Sequence, residues 1–201
     1  YNLLILLLYP VQYQPISGQL SYFDKVTVVI KTIQTGSVSP LYRDLEKDRI
    51  EVVKKFDSLD SLSSYRITSF VPLTTTDYDL LILTTDALKE GFIPLKEAHE
   101  AQGLKTEIKT LTDISQSLGQ VTPETIRDFI RSEYITNGIN YVLIGGDSDV
   151  IPAKMLWVQA GQESTTMPSD LYYGCLDGTF NYNNNDKWGE PHDGDGGGDV
   201  D

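Results

Sequence analysis

Two groups of carboxylates are the first residues in this chain that could do chemistry. Asp147 and Asp149 stand in Gly145-Gly146-Asp147-Ser148-Asp149, directly after an apolar run. Such a pair could bind a metal, orient a base or cap the next element. Capping and turn formation need only short acceptor side chains, which Asp-Ser-Asp supplies, so the structural role leads. The second group is Asp186, Glu190, Asp193, Asp195, Asp199 and Asp201, set among Asn181, Asn183, Asn185 and the glycines 194, 196, 197 and 198. Calcium takes about six to eight oxygens on a flexible loop, and this composition offers them. A solvated acidic loop accounts for the same composition, and both readings stay open on the residues alone. Magnesium fits less well, because it rarely uses an all-protein cage. The segment is not an EF-hand: a frame ending at Glu190 begins at Thr179 and puts Asn184 where the invariant glycine belongs.

Nucleophile candidates are few. Cys175 is the only cysteine, which excludes an intrachain disulfide and a cysteine-based zinc site. A reactive thiolate needs a neighbouring histidine, cation or helix N-terminus. Cys175 instead sits between aromatic residues and Leu176 and reads as a buried, inert thiol. His99 lies between Glu97 and Glu100 on a surface helix, and His192 lies in the acidic segment. Neither has a cysteine at a recognisable spacing. There is no GxSxG elbow, HExxH, P-loop or GxGxxG.

Composition narrows the classes further. The chain has 201 residues, 40% of them hydrophobic, which is enough to bury a core. It carries 16 Lys and Arg against 29 Asp and Glu, a net charge of −13. That argues against a nucleic-acid partner, since phosphate binding relies on cations to displace counterions. From Asp170 onward, eight acids face the single Lys187, so seven of the thirteen net charges lie in this tail. The apolar run Leu3 to Leu8 is too short to span a bilayer and lacks the flanks of a signal peptide. With Tyr1 at its start the chain reads as a processed or cut-down polypeptide, any export signal lying upstream.

The elements that must position these residues follow from their patterns. Residues 1–35 read as β, with strands at Leu3 to Leu8 and at Leu20 to Ile30 across a Ser17-Gly18-Gln19 turn. Residues 36–76 read as linker or ambiguous, with the domain boundary placed at their end, at Thr74-Thr75-Thr76 just after Pro72. Tyr78 to Thr85 is a near-continuous apolar run, as in a strand buried on both faces. Asp86 is the N-cap candidate for a helix that carries Phe92, Leu95 and Ala98 and ends near Gly103, its regular part beginning near Pro94. A second strand spans Thr106 to Leu111. Thr122-Pro123 opens a helix with an Ile126, Phe129, Ile130 and Tyr134 stripe. Asn140 to Gly145 is a third buried strand. Residues 159–201 read as loop-rich, with a short strand at Ser169 to Cys175. The alternation from Tyr78 to Gly145 predicts an α/β parallel sheet with flanking helices, whose sites form beyond the carboxyl ends of the strands.

Four segments carry a resemblance: YDLLILTTDALKEGFIPLKEAHEAQG (Tyr78 to Gly103), VTPETIRDFIRSEY (Val121 to Tyr134), INYVLIGGDSDVIPAK (Ile139 to Lys154) and PSDLYYGCLDG (Pro168 to Gly178). Together they resemble the first half of the catalytic domain of gingipain-like cysteine peptidases. YPVQYQPISGQLSYFDKVTVVI (Tyr9 to Ile30) is similar to the end of the β-rich prodomain that precedes it. The resemblance implies a caspase-like α/β fold over 77–201, with the acidic loop at 177–201, after a small β-rich prodomain segment at 1–35. It implies a secreted or cell-surface endopeptidase that acts on protein and peptide substrates through a Cys–His dyad. Both dyad residues would lie C-terminal to Asp201, so this chain would hold no catalytic residue, would be inactive alone, and would have the C-terminal half of the same precursor as a partner. Cys175 does not match the nucleophile position. Asp170 matches an acidic position that lines the site and is implied to read a basic P1 side chain. Calcium is common in the family, which favours the calcium reading of the tail. A non-catalytic calcium-binding surface module and a small-ligand domain with its site at Gly145 to Asp149 are the alternatives.

Overall fold

The structure is a computed structural model that describes residues 6–31, 39–55 and 78–190. Contacts divide the chain into two units, Tyr1–Tyr42 and Arg43–Asp201. The division falls inside the stretch that the sequence leaves as linker or ambiguous.

The first unit contains one hairpin. β1 (Val11–Gln14) pairs antiparallel with β2 (Gln19–Tyr22), Val11 opposite Tyr22 and Gln14 opposite Gln19. Gly18 closes the turn at φ +66°, and its N–H donates to the Gln14 carbonyl at 2.9 Å. The turn lies where the Ser-Gly signal puts it, but the strands are shorter and closer to it than expected. Leu6 to Leu8 and Val26 to Ile30 are not strands, and positions 3–5 of the expected first strand lie outside the described residues. β-propensity measures fit to a partner surface, and among the described residues of this unit only the residues flanking the turn find one.

The second unit is built on a three-stranded parallel sheet of order β4-β3-β5. β3 (Leu80–Thr84) is central, with all five residues buried. β4 (Thr106–Thr110) and β5 (Tyr141–Ile144) flank it in parallel, Ile82 facing Ile108 on one side and Leu143 on the other. Alternation of side chains along β3 gives each face its own core. Leu80 and Ile82 join Ile108 beneath α2 (Asp86–Ala101), whose Phe92, Ile93 and Leu95 cover them. Leu81 and Leu83 face the other way and meet Ile114 of α3 (Leu111–Leu118) and Ile126, Phe129 and Ile130 of α4 (Pro123–Thr136). This is the α/β arrangement of parallel sheet and flanking helices that the sequence predicts.

Several boundaries differ, each for a local reason. α2 begins at Asp86 rather than near Pro94, and its N-cap is Thr85. Glu90, Gly91 and Pro94 are exposed, so the carbonyl that Pro94 leaves without a donor lies on the solvent side. Asp86 instead accepts a hydrogen bond from the Thr112 hydroxyl. α3 was not anticipated, although Thr110 and Asp113 form a capping box in which Asp113 Oδ2 accepts from the Thr110 N–H at 2.7 Å. α4 opens as expected, with Thr122 accepting from the Thr125 N–H and Pro123 at the first position. A hairpin of β6 (Lys154–Ala160) and β7 (Glu163–Ser169), joined through Gly161 at φ +65°, starts ahead of the stretch read as loop-rich from 159 and runs into it. Ser169 to Cys175 is not a strand: Ser169 ends β7, and α5 (Leu171–Gly174) follows, with the Asp170 carbonyl accepting from the Tyr173 and Gly174 N–H groups.

Arg43 joins α1 (Glu46–Val53) to this body. Its guanidinium is 3% exposed. It pairs bidentately with Asp48, donates to the carbonyls of Tyr134 at 3.1 Å and Ile139 at 2.8 Å, and reaches Asn140 Oδ1 at 3.0 Å. The same group lies 3.6 Å over the Tyr134 ring. Five donors in a rigid fork thereby satisfy the carbonyls at the α4–β5 turn. Arg43→Ala leaves Asp48 and two carbonyls without their cation and is expected to cost about 3–5 kcal/mol. Arg43→Lys, a point charge, should not recover it. Chemical denaturation of the two variants checks this, and a wild-type midpoint for Arg43→Lys would contradict it.

Candidate functional site

The carboxyl ends of β3 and β5 meet where the strand order reverses, the usual crevice of an open α/β sheet. Here that crevice is closed. The Thr84 hydroxyl donates to the Gly145 carbonyl at 2.7 Å. A Cβ on Gly145 would stand 2.6 and 2.7 Å from carbons of the Phe92 ring, and one on Gly146 would stand 2.9 Å from Ile151. Asp147 turns the chain: its carbonyl accepts from the Val150 and Ile151 N–H groups at 2.8 Å, and its Oδ1 accepts from the Ser148 N–H at 2.6 Å. Asp149 is exposed beside it. Asp147 acts as turn chemistry, and the Phe92 ring occupies the space beside the Gly145 backbone.

A groove opens instead beside the outer edge of β5. About 320 Å³ is lined by Val142 and Ile144, by Ile130 and Tyr134 of α4, and by Tyr173 and Leu176. Asp170 stands on its wall, exposed, and its carboxylate makes no hydrogen bond or ion pair with the described residues. Tyr173 is held in place by donating its hydroxyl to the Pro152 carbonyl. Burial and the nearby Glu124 carboxylate push the Tyr173 phenol well above its ordinary range, so it stays a neutral donor. An apolar slot with one uncommitted carboxylate suits a side chain with an aliphatic stem and a cationic tip.

The segment that carries Asp170 is fastened to α4 by stacked cations and rings. Arg127 donates to the Cys175 and Gly178 carbonyls, the latter at 2.6 Å, and its guanidinium lies 4.7 Å over Tyr172 and 5.1 Å over Phe180. Lys154 donates to Glu124 Oε1 at 2.6 Å and stands 3.1 Å over the Trp188 ring. Tyr172 packs edge-on against Phe180 and Trp188. Sequence reading missed Arg127, Lys154 and Arg43. Arg127 had a signal, a lone cation inside the apolar Ile126-Phe129-Ile130 stripe.

Cys175 is half-buried and packs against the core cluster on the α4 side of the sheet. His99 belongs to α2, which covers the opposite face. The sheet stands between them, so they form no dyad. His192 lies outside the described residues.

The acidic segment is described as far as Glu190. Asparagines order it: Asn181 and Asn183 side-chain oxygens both accept from the Asn185 N–H at 2.9 Å, and Asn185 Oδ1 accepts from the Lys187 N–H at 2.6 Å. Glu190 Oε1 accepts from the amides of Asn185 at 2.5 Å and Asn183 at 3.0 Å, and these bonds hold its carboxyl below the usual glutamate range. Asp186 is exposed. Among the described residues no three His, Cys, Asp or Glu side chains converge as metal ligands. As arranged, Asp186 and Glu190 do not make a calcium cage by themselves. Asp193, Asp195, Asp199 and Asp201 lie outside the described residues.

Two substitutions probe this architecture. Gly145→Ala should cost about 1–3 kcal/mol through the clash with Phe92, and adding Phe92→Leu should return part of it in a denaturation series. Glu124 carries the pH test. Its partial burial is the largest single influence and raises the carboxyl's pKa, but hydrogen bonds from Lys154, the backbone and Thr122, with the Lys154 charge, together leave it below the ordinary 4.5. The folded chain therefore binds this proton less readily than the unfolded chain. The stabilisation is fully present above pH 4.5 and is lost as pH falls through the lower folded value. Solvent screening limits it to about 1 kcal/mol or less. Glu124→Gln should flatten that part of the acid limb of stability against pH.

No helix among the described residues is long and apolar enough to cross a membrane. No curated protein and no solved structure gives a match. The model of peptidase family C25 matches residues 73–193, which takes in β3, the groove, Asp170 and Cys175. With more than half its length so matched, the chain belongs to peptidase family C25, the gingipain family of cysteine peptidases.

Proposed function

We propose that this chain is the N-terminal portion of a secreted gingipain-like cysteine endopeptidase and forms one wall of its substrate cleft, without the nucleophile or its histidine. The observation that carries this reading is the Asp170 carboxylate, without a partner among the described residues, on the wall of a largely apolar groove, in a chain whose Cys175 and His99 lie on opposite faces of the sheet. In the complete enzyme a thiolate attacks the scissile carbonyl and an imidazolium protonates the leaving amine. Both groups come from sequence beyond Asp201. Asp170 selects a Lys or Arg side chain at P1 by charge pairing in a partly dry slot. Residues 1–35 are the end of the prodomain. Calcium is a structural ion of the 177–201 loop; the support for it is the oxygen-rich composition, and no chemical step runs through it.

Peptide hydrolysis is the test. The 201-residue chain alone should cleave nothing, while a longer polypeptide carrying the dyad should cleave after Lys or Arg. In that longer form Cys175→Ala should leave kcat/KM unchanged. Asp170→Asn should lower it for basic P1 substrates by roughly 10- to 100-fold, equivalent to the loss of one charge-assisted bond. Activity in the short chain that Cys175→Ala abolishes would overturn the reading. An inert longer form that still binds calcium would favour a non-catalytic calcium-binding module.

A further inference from the structure

The β6–β7 hairpin has one covered edge and one bare edge. β6 is the covered side: the Trp157 N–H donates to the Trp188 carbonyl at 2.7 Å, and Lys154 and Leu156 are buried. Among the described residues β7 pairs with β6 alone, and Glu163 to Pro168 are exposed. An exposed strand edge is a template for another extended chain, and charged side chains normally guard it. The one charge on β7 is Glu163, beside the turn.

The register shows which backbone groups are left over. In an antiparallel pair, opposite residues alternate between those that bond to each other and those that turn their N–H and C=O groups outward. The Trp157 N–H goes to Trp188, so Trp157 and its partner Thr166 form an outward-turned pair. The same phase turns Ser164 and Pro168 outward, opposite Gln159 and Met155. Pro168, which has no N–H to give, stands where the hairpin ladder needs none. Thr166 therefore presents both a donor and an acceptor on the bare edge, its carbonyl meeting the Thr165 hydroxyl at a long 3.5 Å. Met167, 50% exposed, stands beside it on the face that carries Leu156.

We infer that the bare edge of β7 binds the substrate chain beyond the scissile bond as an added antiparallel strand, Thr166 exchanging backbone hydrogen bonds with a residue about four positions C-terminal to P1. This rests on the proposed function and deepens it. Continuity selects the occupant: β7 ends at Ser169, and the next residue is Asp170, on the groove wall. A chain whose basic side chain reaches Asp170 can run back along β7. Antiparallel addition repeats the sense of the β6–β7 pairing and is the more stable ladder. It carries the residues after P1, not those before it, past Met167 and Thr166. Main-chain pairing gives affinity whatever the sequence, and the adaptable Met167 thioether favours an apolar residue opposite it.

Hydrolysis by the longer polypeptide tests this with Lys and Arg substrates of different reach. Extending them from one residue to about six beyond the scissile bond should raise kcat/KM about 10-fold, mostly through KM, the equivalent of one or two backbone hydrogen bonds. Thr166→Pro removes a donor that the hairpin itself does not use, and should bring long and short substrates within about 2-fold of each other. Thr166→Val keeps the backbone groups and should keep the ratio. A ratio near one in the unaltered enzyme, one that survives Thr166→Pro, or one produced only by residues before P1 would overturn the inference. Amide hydrogen exchange at Thr166 reads the same contact without a substitution. A long peptide with a reduced scissile bond should slow it at least about 10-fold in the longer polypeptide. Protection already present without peptide would overturn the inference, because another part of the protein would then hold the edge. If peptides are cleaved while Thr166 stays unprotected, the docking edge fails and the proposed function stands. If Thr166 is protected by the peptide but nothing is cleaved, the edge stands and the enzymatic reading fails. With neither, both fail.

Discussion

Burial of β3 on both faces is the constraint on which the rest depends. Five consecutive residues, Leu80 to Thr84, have no exposed side. Each leucine or isoleucine so buried is worth about 1.5–3 kcal/mol, and it requires cover above and below. α2 supplies one cover and α3 with α4 the other. Crossovers between parallel strands then set the order β4-β3-β5 and bring the ends of β3 and β5 together. The close approach at Gly145 follows, because Phe92 must lie down on the end of the sheet to seal that face.

Around this frame, cations act as fasteners, Arg43 and Lys154 buried and Arg127 half-buried. Arg43 holds the segment before the sheet, and Arg127 and Lys154 hold the segment after it. In each case the cation is matched by carbonyls or a carboxylate and lies against an aromatic ring. Such groups are costly to leave unpaired, so each admits one arrangement of its surroundings. Arg127 and Lys154 thereby fix the backbone from Tyr172 to Trp188. Asp170, just ahead of it, is left on the groove wall with no partner among the described residues.

The α/β class, the two-faced burial of β3 and the opening of α4 at Thr122-Pro123 were legible in the sequence. They depend on near-neighbour patterns: apolar runs, short acceptors and a proline at a set spacing. So was the family. Other features were hidden. The β6–β7 hairpin has polar strands and Pro168, so its pairing shows only when the partner is seen. α3 is too short to display a periodic face. The openness of β5 could not be read either, since Tyr-Val-Leu-Ile looks the same whether its neighbour is present or not.

By itself, then, the sequence determined the kind of structure: which runs must be buried, where helices start, and what chemistry the side chains can and cannot supply. Only the tertiary structure decided which residues meet. Arg43 reaches carbonyls more than ninety residues away, Phe92 closes the crevice over Gly145, and Asp170 comes to stand beside Val142 and Ile144. Local patterns are set by the chain's own periodicity and hydrogen-bonding valence. Long-range partners are set by which surfaces remain to be covered once those local elements have formed.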